Sequence, residues 1–313
     1  MQPIADITPD DTLPRRARPV RRTAEAAPRE PGARADEVRA ITTIGPPSFS
    51  VVALGRAALR LRHYRDLLYT LSAHRLSVRY KQSVLGPLWA VLQPLALMLI
   101  YTAIFSRIAR LPSEGVPYAL FAYTALLPWT CFSTAVSSAT NSLVSHFTLV
   151  TKVYFPREIL PLTYIAAALV DLLAASTVLV GLMVYYGVSF TAQALLVVPV
   201  LCVLVTFTLG VSLILCAVQV RHRDVGIAMP LVLQLWMFAS PVVYPLSAVP
   251  DRWQSVYALN PMVGVIENFR RVVVQGVPPD LHSFAMSAVI SIALLPLAFI
   301  YFKHVEATVA DVL

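Results

Sequence analysis

Arg75, Arg79 and Lys81 fall close together, directly before the chain turns apolar at Leu85 and Gly86. Arginine holds phosphate oxygens in a planar fork and lysine holds them as a point charge, so the trio suits an anion at a membrane boundary. The same cations also serve as plain anchors that keep one end of a first span on the cytoplasmic side. Asp171 is the next charged group to explain, because it sits inside a long apolar stretch. An intramembrane carboxylate is costly and has to face protein or water, which leaves a helix–helix hydrogen bond or a place on a pore wall. Aromatic residues crowd the stretch 89–132: Trp89, Tyr101, Phe105, Tyr118, Phe121, Tyr123, Trp129 and Phe132. Their faces can stack on the C–H face of a sugar, and equally they can form an interfacial belt or pack against lipid.

Catalytic groups are harder to find. No GxxxxGK[ST] loop occurs, and no glycine opens a phosphate-cradling turn before a helix, so ATP binding by that route is not expected in this chain. A DxD or paired-carboxylate arrangement for glycosyl chemistry is absent, and the six histidines form no ligand cluster. Cys131, Cys202 and Cys216 lie in apolar segments without CxxC spacing, which argues for buried thiols rather than a metal site or a disulfide framework. No cofactor and no metal are expected in the chain itself.

The elements that must position these residues are apolar and long. Residues 116–151, 225–250 and 281–302 contain no acidic or basic side chain, and crossing a bilayer core takes roughly 20 such residues in a helix. The composition agrees: 57% of residues are hydrophobic and 13% charged, against about 45–50% and about 25% in soluble chains. Six spans are read at about 86–107, 117–138, 159–187, 193–218, 226–246 and 283–302, the third longer than a bilayer needs. The formal charge of +8 is uneven, with +7 carried by residues 1–81, so the basic character does not describe a nucleic-acid-binding face. Residues 1–55, rich in Pro, Arg, Ala, Asp and Glu without apolar period, read as a disordered basic cytoplasmic tail with no cleavable signal peptide. Residues 56–313 then form the membrane domain. Leu61, Tyr64, Leu68 and Leu71 share one helical stripe, which predicts an amphipathic helix on the membrane surface or against a partner. An even span count and the flanking cations place both termini in the cytoplasm. Between spans five and six, residues 247–282 read as a re-entrant or interfacial helical hairpin, with Val263, Ile266, Phe269 and Val273 on one face and Glu267, Arg270 and Arg271 off it. Arg223-Asp224, just before span five, reads as a local ion pair.

Four stretches carry a more specific signal. They are Arg79-Tyr80-Lys81-Gln82-Ser83-Val84-Leu85-Gly86-Pro87-Leu88-Trp89 with Gln93-Pro94-Leu95; Lys152-Val153-Tyr154-Phe155-Pro156-Arg157-Glu158-Ile159-Leu160-Pro161; Arg223-Asp224 with Ser240-Pro241-Val242-Val243-Tyr244-Pro245; and Leu259-Asn260-Pro261-Met262 with Glu267-Asn268-Phe269-Arg270. In this order, beside these spans, they resemble the permease subunit of type-2 ABC exporters, nearest those that move O-antigen, teichoic acid, capsule or related lipid-linked glycans. The resemblance covers about residues 60–313.

The resemblance implies an all-helical permease of six spans that forms a homodimer and pairs with two copies of a cytoplasmic ATPase subunit, where ATP and Mg would bind. It implies that the helix before Leu85 and Gly86 is an interface helix, with Arg75, Arg79 and Lys81 where a polyprenyl pyrophosphate would enter. Lys152, Tyr154, Phe155, Pro156, Arg157 and Glu158 become the segment that couples to the ATPase. Trp89, Tyr101, Phe105, Phe132 and Asp171 become channel candidates. Pro241, Tyr244, Pro245, Asn260 and Pro261 become an outer gate. The location implied is a bacterial inner membrane. The rival readings are a type-2 exporter of a drug or small lipid, and an ATP-independent membrane enzyme of glycan processing.

The span count generates a direct test. In a background without Cys131, Cys202 and Cys216, an impermeant thiol reagent added to whole cells should label Ser255→Cys and spare Ser145→Cys. The reverse pattern would invert the topology.

Overall fold

The computed structural model describes residues 63–81, 83–153 and 155–312, with side chains described as far as Glu306. The predicted tail, Leu61 and Tyr154 lie outside these residues. Every regular element among them is a helix.

The first, α1 (Arg65–Tyr80), places Tyr64, Leu67, Leu68 and Leu71 against a core cluster of its own chain, so its apolar stripe is covered by protein. Gly86 then opens a tight turn at φ +50°, a conformation that costs a residue with a Cβ but not glycine. Beyond the turn come α2 (Trp89–Tyr101) and a π-helical continuation, Thr102–Ile108. The bundle is organised around α3 (Tyr118–Thr140), in which 18 of 23 residues are buried. A helix apolar on all sides is stable only when surrounded. Two short helices, α4 (Ser142–Ser145) and α5 (Phe147–Lys152), lead to α6 (Ile159–Tyr185), and a 3₁₀ turn leads into α7 (Val197–Arg221).

Next comes α8 (Asp224–Phe238), which differs from its prediction. The span read over 226–246 stops at Phe238, so the helix has 15 residues and is about 22 Å long at 1.5 Å per residue. That is short of the roughly 30 Å hydrocarbon core. The chain instead turns through Ala239–Pro245, where the Asn260 side chain donates to the Ala239 carbonyl and to Ser240 Oγ. Among the described residues, five helical stretches are long and apolar enough to cross a membrane: Gly86–Ile108, Tyr118–Thr140, Ile159–Tyr185, Ala192–Arg221 and Leu281–Glu306.

The predicted helical hairpin is two helices, α9 (Asp251–Ala258) and α10 (Pro261–Arg270), followed by the long α11 (Leu281–Val312). All ten residues of α10 are buried, including the Glu267 and Arg270 read as lying off its apolar face. The Arg270 guanidinium donates to Glu267 Oε2 at 3.2 Å and to the Pro241 carbonyl at 3.1 Å, and its carbon lies 3.6 Å from the centre of the Phe121 ring. Burial pushes the Glu267 carboxyl above its ordinary range, and the facing Arg270 draws it back. Asn268 donates to the Gly264 carbonyl and Ser283 Oγ and accepts from the Asp280 amide, tying α10 to the start of α11.

Contacts sort the connections into two ends. Glu114 accepts from Ser247 and Gln275 at one end. Gln219 reaches Asn141, and Lys303 reaches Glu158, at the other. In chain order α2, α3, α6, α7, α8 and α11 therefore traverse the bundle alternately.

Gly264 marks the tightest crossing of α10 and α11, since a methyl there would overlap Ser287 Oγ and the Ser283 carbonyl. Gly264→Ala should destabilise the detergent-solubilised protein by about 1–3 kcal/mol through forced separation of the helices. Gly181→Ala, in open space within α6, should be neutral or stabilising by about 0.5–1 kcal/mol. Equal melting temperatures for the two variants would contradict the packing.

Candidate functional site

Two of the three cations before the first span, Arg75 and Arg79, are held by α6. Arg75 donates through Nε to Thr163 Oγ1, and its guanidinium lies 3.5 Å from the centre of the Tyr164 ring. Burial lowers the Arg75 pKa. One turn on, Arg79 Nη1 donates to Asp171 Oδ2 at 2.6 Å, and the Tyr80 hydroxyl donates to Oδ1 at 2.6 Å. Burial, helped by the bond to Asp171, pushes the Tyr80 phenol up to about 12, so it remains a donor at any physiological pH. The spacing explains the geometry: Arg75 and Arg79 are four apart on α1 and share a face, while Thr163 and Asp171 are two turns apart on α6. Asp171 lies about 18 Å along α6 from Ile159. Its carboxylate thus makes the helix–helix hydrogen bonds that its position in the sequence demanded. Gln93, Thr130, Cys131 and Thr134 join Arg79 and Asp171 around a small cavity of about 30 Å³. Lys81 is exposed and, among the described residues, makes no ion pair.

The segment after α5 is fastened to α11. Glu158 is buried and accepts from Lys303 Nζ at 2.7 Å. Lys303 also meets Glu306 at 2.6 Å, and Arg157 donates to the Glu306 carbonyl at 2.9 Å. Phe155 is buried in the chain's own core with Val150, Ile159, Leu213 and Phe299. The apolar anchor expected to face a partner therefore faces inward here, and Arg157 and Glu158 are engaged within the chain. Pro156 is half-buried, while Phe147, Thr151, Lys152 and Val153 are exposed.

Two polar residues that the sequence reading passed over organise the same end. Gln219 donates to Asn141 Oδ1 and to the Arg223 carbonyl, and accepts from the Gly226 amide at 2.6 Å. It joins the end of α3 to the α7–α8 turn. A glutamine inside an apolar helix was the available signal, since such a side chain needs partners. No Arg223–Asp224 ion pair is present among the described residues; Asp224 occupies the first turn of α8, where the helix dipole favours a carboxylate.

At the far end the residues read as an outer gate fall into separate sets of bonds. Asn260 caps α10 by accepting from the Met262 amide, accepts from Trp236 Nε1, and donates to Ser240 Oγ and the Ala239 carbonyl. Pro261 opens α10, a position where its missing N–H costs nothing. Tyr244 donates to the Phe238 carbonyl at 2.8 Å and lies 2.9 Å from the Tyr257 hydroxyl. Pro241 and Pro245 are buried in the turn. The aromatic channel candidates do not converge on one surface of the single chain. Trp89 is exposed at the foot of α2, and Tyr101 and Phe105 are half-buried against each other. Phe132 is fully buried, stacked on Phe207 at 5.4 Å and edge-on to Trp236 at 5.2 Å.

An all-helical chain of long apolar spans, with polar residues reserved for helix contacts and span ends, is a multi-pass membrane protein. Residues 66–274 match the ABC-2 type transporter family, and the chain belongs to it. It is 34% identical over 242 residues to the O-antigen export system permease protein RfbA of Myxococcus xanthus, covering 77% of this chain and 92% of that protein. It is 28% identical over 213 residues to a protein of the same description from Klebsiella pneumoniae, covering 68% and 82%. It is 27% identical over 206 residues to the polysialic acid transport protein KpsM of Escherichia coli, covering 63% and 77%.

The Lys303–Glu158 pair is mostly buried, with 20% and 6% of the two side chains exposed. Lys303→Met should therefore destabilise the protein by about 3 kcal/mol, because it strands a buried carboxylate. Glu158→Gln combined with Lys303→Met should cost clearly less than the sum of the single changes. Additive losses in thermal or denaturant unfolding would show that the pair does not hold the segment.

Proposed function

We propose that this chain is the transmembrane subunit of an ATP-driven exporter that carries a lipid-linked polysaccharide from the cytoplasmic to the outer side of a bacterial inner membrane. The observation that carries this reading is its similarity to an O-antigen export permease over 92% of that protein's length. Two copies form the translocation path between them, and each meets one copy of a cytoplasmic ATPase that binds ATP and Mg. The six traversing helices cross the membrane, with the turn Ala239–Pro245 completing the crossing begun by α8 and both termini in the cytoplasm. The buried helix α10 and its partner α9 form the re-entrant hairpin.

On this reading the pyrophosphate of the carrier lipid is met by Lys81 and by Arg79, which can exchange a carboxylate for phosphate oxygens without losing its fork geometry. Near low-dielectric lipid such a contact is far stronger than in bulk water. Docking of the ATPase falls to the exposed face around Phe147, Thr151, Lys152 and Val153 with the adjoining Tyr154. The Arg157–Glu158–Lys303–Glu306 network then passes the movement to α11, and Gln219 passes it to α8. The Asn260 knot, with Pro241, Tyr244, Pro245 and Pro261, controls the outer end.

The decisive measurement uses the protein with its ATPase partner in sealed vesicles. Lipid-linked polysaccharide should stimulate ATP hydrolysis and become accessible on the far side, and the chain without its partner should hydrolyse nothing. Reversing Arg79 and Lys81 to Glu should abolish export in cells, so that lipid-linked polymer accumulates inside, with membrane insertion checked in parallel. If an unrelated small amphiphile both stimulates hydrolysis and crosses while the glycan does neither, the exporter of a drug or small lipid is the correct reading. Polymer modified by this chain without ATP would favour the enzyme.

A further inference from the structure

A cleft of about 530 Å³ opens at the end of the bundle that carries the Asn260 knot. Tyr244, Trp253 and Tyr257 line it, with Pro250, Val249 and Leu111. The volume is in the range of small-molecule sites. Its construction is local. Pro250 caps the start of α9, and Trp253 and Tyr257 are four residues apart, so they share one face of that helix. Tyr244 comes from the turn after α8 and is pinned by its bond to the Phe238 carbonyl.

Trp253 is the exposed ring of the three; Tyr244 and Tyr257 are half-buried, and Tyr244 also packs against the main core. Among the described residues none of them pairs with another ring, and the Arg252 guanidinium lies 6.0 Å from the Trp253 ring centre. Trp253 is 50% exposed. The polar atoms in the cleft have a definite sense. Tyr244 spends its proton on the Phe238 carbonyl, so the 2.9 Å contact requires Tyr257 to donate to Tyr244. The Tyr257 oxygen is then left with acceptor capacity beside the apolar ring faces. Asp251, Arg252, Gln254 and Ser255 are exposed along the rest of α9, with Val256 exposed beside them.

We infer that this cleft is a carbohydrate subsite, in which one pyranose unit lays its C–H face on Trp253 and gives a hydroxyl proton to Tyr257. A ring of C–H bonds rimmed by hydroxyl donors matches a π-face beside an acceptor oxygen. A hydrocarbon chain would leave that oxygen unused. The inference rests on the export reading and on the outward placement of residues 247–282. It deepens that reading by giving the emerging polymer a first contact outside the translocation path.

The test uses the solubilised protein with its ATPase partner, and the probe is the host's own surface polysaccharide released from its lipid by mild acid. Saturation-transfer NMR should show contact between protein and pyranose ring protons. Trp253→Ala and Tyr257→Ala should each weaken binding about tenfold, whereas Val256→Ala, 54% exposed on the same helix outside the cleft, should not. In bilayers, brominated acyl chains should leave the Trp253 fluorescence, defined by difference from Trp253→Phe, unquenched. Unchanged affinity in Trp253→Ala, absence of binding to the parent protein, or quenching of Trp253 by brominated chains overturns the subsite. The last result would make the ring a membrane anchor. The vesicle assay separates the two failures: hydrolysis stimulated by lipid-linked polysaccharide keeps the export reading alive when the cleft fails.

Discussion

A guanidinium with no solvent contact constrains one end of this protein. Arg270 is 0% exposed, and burying its charge is tolerable only because three different elements answer it at once. Glu267 supplies the countercharge from α10, Pro241 supplies a carbonyl from the turn after α8, and Phe121 supplies a π-face from α3. A desolvated cation–π contact of this kind is worth about 2 kcal/mol. Losing any of the three removes part of what offsets the buried charge, so the turn that ends α8, the helix α10 and the start of α3 are tied together through Arg270. Asn260 repeats the arrangement with neutral groups, joining Trp236, Ala239 and Ser240 to the first turn of α10.

The opposite end follows the same rule with more water nearby. Its ion pairs among the described residues include Arg79 with Asp171, Lys303 with Glu158, and Arg157 with Glu306. These pairs connect elements far apart in sequence. An ATPase acting on the α5–α6 segment would therefore push on α11 through Lys303 and on α8 through Asn141, Gln219 and Gly226. A side chain on Gly226 would collide with Asn141 and Gln219 themselves, which shows how closely the two connections approach.

The two ends also suit the two parts of a lipid-linked glycan. On the proposed function, Lys81 and the Arg79–Asp171 pair would offer exchangeable partners to a phosphate. Trp253 and the Tyr257 oxygen at the far end would offer weak contact to a sugar. Weak contact is appropriate for a polymer that must keep moving, because a tight site would hold it.

Much of this was legible in the sequence, for reasons that can be named. Segment length and charge exclusion fixed the class, since only a helix satisfies its own backbone within lipid. Asp171 announced a helix contact, because a lone carboxylate in an apolar stretch must find a partner. Pro241, Tyr244, Pro245, Asn260 and Pro261 stood out in the sequence only as a gate implied by resemblance; that α8 stops at Phe238 and that Asn260 caps α10 came from the structure. The sequence could not say that Arg79 and Tyr80 are what Asp171 meets, because they are 92 and 91 positions away. It set Glu267 and Arg270 on a polar face, whereas the fold buries that face by placing Phe121 and Pro241 over it. It offered Phe155 as an outward anchor and Phe132 as a channel ring, and packing turned both inward. Those outcomes depend on which faces the helices present to one another. Periodicity within a single helix carries the apolar stripe but not the identity of what covers it.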